Sequence, residues 1–159
     1  MSKFVREYIR DTVRGVSDKI SFSYARESDF NAIRGKKFPA VLLTPLRYTV
    51  TQTDWGRALE YDCILLFYDL DAKGDDERQT QKILEKIDPL VQQFLIKLNR
   101  SSITVEDDPE GDITSDKLVI SDVSAQERIK FTSDMVTGWE ITFKMSVPDT
   151  VDPCDIYDS

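Results

Sequence analysis

The chain has 159 residues, 40% of them hydrophobic and 31% charged, with 29 acidic against 21 basic side chains and a formal net charge of −8. This size and apolar content suffice to bury a core without disulfides or metals, and the composition is that of a globular segment rather than a disordered one. Histidine is absent, which removes Ser-His-Asp and Cys-His catalysis, histidine-ligated zinc and the commonest general base near neutral pH, and the negative balance disfavours a protein that grips nucleic-acid phosphates.

The first segment sets Phe4, Val5, Tyr8, Ile9, Thr12, Val13 and Val16 at helical spacing among charged Lys3, Arg6, Glu7, Arg10 and Asp11. That pattern predicts an amphipathic helix ending near Gly15 or Ser17, without the apolar stretch of a secretory signal. Residues 38–43 form a short apolar run stopped by Pro45 and predict a strand. Residues 48–53 and 59–69 predict two longer strands, and Asp54-Trp55-Gly56-Arg57 between them supplies the turn chemistry of a β-hairpin. Cys63 opens the longest apolar run, 63–68, which is far too short to span a bilayer; the cysteine reads as a small core residue. Cys154 is distant from it, so the pair forms neither a metal-ligand pattern nor a CxxC motif, and a reducing compartment is the default.

Asp75 is the N-cap candidate for the next element. Over residues 77–98, Ile83, Leu84, Ile87, Leu90, Val91, Phe94, Leu95 and Leu98 build the strongest helical stripe of the chain. Pro89 interrupts it: either one bent helix continues through, or Asp88 caps a second helix with Pro89 at its first position. The unbroken stripe favours the bent helix. An acidic loop at 106–112 leads to strands at 117–123 and 127–132. In the last strand Trp139, Ile141, Phe143, Met145 and Val147 alternate with Glu140, Thr142, Lys144 and Ser146, which gives one buried face and one wet or partner-facing face. Residues 151–159 read as a flexible acidic C-terminal tail behind a single domain at 1–150. The order of elements predicts an α+β fold, a mainly antiparallel β-sheet packed against a long central helix.

The motif search assigns no catalytic, cofactor-binding or metal site. Asp69-Leu70-Asp71-Ala72-Lys73-Gly74 begins like a calcium loop, but Lys73 takes a ligand position and Thr80 stands where the closing glutamate belongs; a solvated turn is expected. The acids at 106–112 read as an exposed turn. Gly35-Lys36 lacks the remainder of a phosphate loop, and Asn99-Arg100-Ser101 is a sequon without a secretion signal. Trp139 reads as core. Trp55, at the hairpin tip beside Arg57, is the candidate contact residue. Arg34, Lys36 and Lys37 form a small positive patch that can meet an acidic face of a neighbouring subunit in a head-to-tail ring.

The order of elements, the opening helix, the Phe38-Pro39-Ala40-Val41-Leu42-Leu43 run, the 59–67 strand leading into Ile87-Asp88-Pro89-Leu90, and the closing Thr137-Gly138-Trp139-Glu140-Ile141-Thr142-Phe143 strand together resemble the phage tail-completion family, tail terminators included. The resemblance implies an α+β virion subunit that joins copies of itself into a ring, hexameric or higher. Such a ring terminates the tail or connects it to the head after assembly in the host cytoplasm. Implied partners are the other tail, neck and portal-proximal proteins; no cofactor, catalysis or membrane is implied. DNA would be only a passing neighbour in the lumen, where an acidic wall lets it slide. A ring in the neck or tail of a short-tailed phage is the related alternative, and a monomeric adaptor domain binding one protein partner is the alternative of a different class. An enzyme working through lysine and carboxylates comes third.

Overall fold

The structure, a computed structural model, describes residues 2–26, 39–53, 56–71, 77–106, 118–131 and 136–148. The opening helix is α1, Ser2–Val16, and Val5, Ile9 and Val13, four apart, are its buried residues. Residues at that spacing stack on one side of a helix, so the apolar stripe of the sequence becomes the stripe that packs. Arg14 lies in the last turn, where a cation complements the unpaired carbonyls.

Six strands among the described residues form one mixed sheet: β1 (Ser21–Tyr24), β2 (Ala40–Leu43), β3 (Arg47–Thr53), β4 (Gly56–Leu70), β5 (Val119–Phe131) and β6 (Val136–Pro148). Their order is β1-β2-β4-β6-β5, with β3 also paired to β4. The 15 residues of β4 let it pair β3 along its first half and β2 along its second. On its other side β6 runs antiparallel, from Ala58 opposite Pro148 to Leu70 opposite Val136. The expected hairpin forms with Thr53 opposite Gly56. Gly56 and Arg57 therefore belong to β4 rather than to the turn, and Gly56 has a φ of 122°, a conformation that glycine adopts without strain.

Three expectations are corrected. The strand β1 had no sequence signal, because four residues of Ser-Phe-Ser-Tyr are too few to show a period; it pairs parallel to β2, so the sheet is mixed, while the other pairings among the described residues are antiparallel as expected. The two strands expected at 117–123 and 127–132 are the single strand β5. Its pairing with β6 shifts register between Ser121 and Ser124, and Asp122 there has a φ of 54°. Such a bulge breaks the alternation and makes one strand read as two. The helix α2, Glu77–Glu106, continues past the expected end at Leu98, so Glu106 is helical. Asp75, residues 107–112 and 151–159, and Cys154 lie outside the described residues.

Pro89 sits inside α2 without ending it. It is exposed, as is Glu85 one turn earlier, so the carbonyl left without its amide partner is on the wet side of the helix, where water can satisfy it. The opposite side packs. Ile83, Ile87, Val91, Phe94 and Leu98 join α1 and the odd-numbered residues Tyr61, Cys63, Leu65, Phe67, Ile141, Phe143, Met145 and Val147 of β4 and β6 in one buried cluster. Phe94 lies at its middle, with ring centroids 5.4 Å from Phe67 and 6.3 Å from Phe143.

The opposite face of the sheet is divided. At one end Ala40, Leu42, Leu66, Tyr68 and Val136 form a second buried cluster. Burial on both faces is why β2 is a continuous apolar run rather than an alternating one. Farther along, the face is polar: Lys144 lies 3.5 Å from Glu60 and 3.7 Å from Asp122, and Arg128 lies 3.1 Å from Glu140. At Gly138 the backbone of β4 leaves no room for a side chain on β6. A Cβ there would run into the Phe67 carbonyl oxygen and come within 2.6 Å of Tyr68 Cα, so only glycine fits.

Candidate assembly surface

The outer strands differ from the strands between them. In β5 every residue from Ser121 to Glu127 is exposed, and apolar Val123 and Ile129 keep 42% and 55% of their surface in solvent. In β3 the residues Arg47 to Val50 are all exposed, and Tyr48 and Val50 each keep 51%. Both apolar residues of β3 belong to the helix-side face of the sheet, since Tyr48 pairs with buried Tyr61 and Val50 with Leu59. The helices end short of them, so this apolar face continues into solvent.

A groove runs between β5 and the start of α2. Glu77, Thr80, Gln81 and Leu84 line it from the helix, at the spacing of one helical face, and Glu127 and Ile129, alternate residues of one strand face, line it from β5. The groove thus has apolar Leu84 and Ile129, two glutamates and no basic side chain among its described lining. Beneath it, Asp71 is wholly buried. Its Oδ2 accepts hydrogen bonds from Thr80 Oγ1 at 2.6 Å and Thr137 Oγ1 at 2.8 Å. This corrects the expected solvated turn at 69–74: Asp71 is an internal tie between the end of β4, the first turns of α2 and the start of β6. Residues 72–74 lie outside the described residues. Asp69 accepts instead from Lys86 Nζ at 2.6 Å, so the two aspartates serve different partners. Trp139 Nε1 donates to the Leu84 carbonyl at 3.1 Å, which fixes α2 over β6 beside the groove while its ring packs against the main core, as expected.

Of the residues singled out in the sequence, Trp55, Arg34, Lys36 and Lys37 lie outside the described residues. Arg57 is exposed at the start of β4, opposite Gln52. Among the described residues, therefore, these candidates are not brought together. Tyr48, Val50, Glu77, Glu127 and Ile129 were not singled out. The available signal was a strand-length stretch, 119–131, with apolar residues in no clean alternation beside a strand that alternates cleanly.

Cys63 is buried opposite Phe143. Burial, reinforced by the neighbouring Asp62 carboxylate, pushes its thiol up to about 12 from an ordinary 9.0, so the nucleophilic thiolate is suppressed. Lys144 is shifted up by the charge of Glu60, its hydrogen bond to that carboxylate, and Asp122. Among the described residues no three His, Cys, Asp or Glu side chains group as metal ligands, and no helix is long and apolar enough to cross a membrane.

The fold and this surface define an α+β domain whose mixed sheet has, among the described residues, outer strands on both sides without a further strand partner. No family model matches the chain, and no curated protein matches it.

Proposed function

We propose that this protein is a structural subunit that assembles with copies of itself into a head-to-tail ring, of the kind that terminates a phage tail or connects it to the head. The observation that carries assembly is the pair of outer strands, β3 and β5, which expose apolar side chains and unpaired outer edges among the described residues. A long open edge is a template for another strand, and proteins that remain monomeric cover, shorten or charge such edges. The phage type rests on the resemblance in segment order. On this reading the protein acts by shape and charge rather than catalysis, its partners are further tail and neck proteins, and its acidic surface lets DNA pass through the lumen unbound. Trp55 and the Arg34, Lys36 and Lys37 patch are further contact candidates.

The α2–β5 groove favours one second reading, a monomeric adaptor that takes a single strand from another protein. Native mass spectrometry of the full chain separates the two. The ring reading expects one closed oligomer, hexameric or larger. A monomer at every concentration, also beside tail proteins, ends it and leaves the adaptor.

A further inference from the structure

We infer that the two helices give the molecule oppositely charged flanks, and that a second copy of this chain docks by setting the basic flank of its α1 against the acidic α2–β5 groove. The inference rests on the ring reading and supplies its interface.

The basic flank is one face of α1. Lys3, Arg6, Arg10 and Arg14 follow one another at spacings of three and four, which sets them along one side of a helix. The Arg6 guanidinium stands 4.9 Å from the centroid of the Tyr24 ring, so this side looks toward the outer strand β1. The face that carries Gly15 turns to α2 instead, since Gly15 lies beside Lys97, and it is shared with Tyr8 and Asp11 rather than with the cations. Lys3 and Arg14 are exposed and make no ion pair among the described residues. Arg10 lies 3.7 Å from Asp11 in a pair open to solvent, which holds it weakly.

The acidic flank lies at the other end of the sheet. Glu77 lines the groove from α2 and Glu127 from β5, and Asp88 stands three turns beyond Glu77 on the same helical face, at about 3.6 residues per turn. None of the three makes an ion pair among the described residues. Lys82 and Lys86 do not line the groove, and Lys86 reaches Asp69 instead. Charge selects the occupant. The two flanks face outward from opposite ends of one molecule, beside β1 and beside β5, so a head-to-tail repeat brings one against the other. Pairing either flank with its own kind sets like charges together, and the unlike pair does not. A nucleic acid would answer the basic flank alone and leave the acidic groove without a partner.

The test reverses one flank at a time in the full-length chain: Lys3→Glu with Arg14→Glu on α1, and Glu77→Lys with Glu127→Lys in the groove. All four side chains are exposed, and circular dichroism with thermal melting verifies that each variant folds. Either pair alone is expected to abolish, in native mass spectrometry, the oligomer that the wild type forms. All four reversals in one chain are expected to restore it, because the flanks are then unlike again. Should a variant fold poorly, the wild type carries the test by itself: its oligomer is expected to dissociate at about 1 M salt, where the screening length falls to about 3 Å. A ring that survives both reversals, one that salt does not weaken, or a folded chain with all four reversals that stays monomeric overturns this interface and leaves the ring reading standing. Duplex DNA bound by the wild type and released by Lys3→Glu with Arg14→Glu, the oligomer being unchanged, makes the basic flank a phosphate site and overturns the contact as well. A monomeric wild-type protein overturns both the interface and the ring.

Discussion

β5 and β6 are neighbours, antiparallel to each other and 13 residues long apiece, yet they lead different lives. Between two strands and under α2, β6 buries Ile141, Phe143, Met145 and Val147 on one face. One strand spacing farther out, β5 exposes nearly everything it carries. The composition of the two does not explain this, since both mix apolar and polar residues. Position does: α2 packs chiefly over β6, Trp139 fastens it there through the Leu84 carbonyl, and its cover thins toward the outer strand. The core therefore reaches only the start of β5, through Leu118 and Ile120, and the apolar residues exposed farther along that strand either cost solubility or serve a contact.

The sharpest way to break this comparison is to truncate one side chain on each strand. Phe143→Ala, beside Phe94, is expected to cost about 3–5 kcal/mol of stability in urea unfolding, the usual penalty for emptying an aromatic core site. A cost near zero would mean that β6 is not the core strand.

Asp71→Ala should cost less, about 1–3 kcal/mol, because the buried hydroxyls of Thr80 and Thr137 lose their acceptor. Replacing both threonines by valine along with Asp71→Ala should recover part of that loss. No recovery would show that the tie acts through something other than hydrogen bonding.

Cys63, paired with Phe143 across the two inner strands, adds a pH test. The folded state holds the thiol protonated, with its pKa pushed up to about 12, while the unfolded chain releases the proton above 9.0. Stability from this group is thus complete below pH 9.0 and falls as pH rises toward 12, by at most about 1.4 kcal/mol per unit. Subtracting the curve of Cys63→Ala from that of the wild type isolates the slope, and parallel curves would refute it.

The smallest effect is expected on β5. Ile129→Ala should change monomer stability by no more than about 0.5 kcal/mol in chemical unfolding, although it lies in the groove. A loss comparable to that of Phe143→Ala would mean that β5 belongs to the core after all.

Regular burial was the legible part of this fold. Val5, Ile9 and Val13, the stripe from Ile83 to Leu98, and the alternation from Trp139 to Val147 all announced their elements, because one face of each packs and the other does not. Illegible parts were those where that rule stops. Asp122 flips the backbone and splits β5 into two apparent strands, β1 is too short for a period, and no residue pattern marks where the helix that carries the stripe to Leu98 stops. The surface residues Tyr48, Val50, Glu127 and Ile129 looked like ordinary strand positions, since exposure is set by neighbours distant in the chain.

Periodicity and composition by themselves determined an α+β chain with an amphipathic opening helix, a helical stripe across Pro89 that favoured one helix over two, and a half-buried last strand; without histidine, they also removed several chemistries. These are local properties, written in the spacing of side chains along one segment. Tertiary structure alone decided that β1 pairs parallel to β2, that Asp71 is an internal tie rather than a solvated turn, and which strands lie outermost. Strand order and burial arise from contacts between segments far apart in sequence, and no local pattern records them.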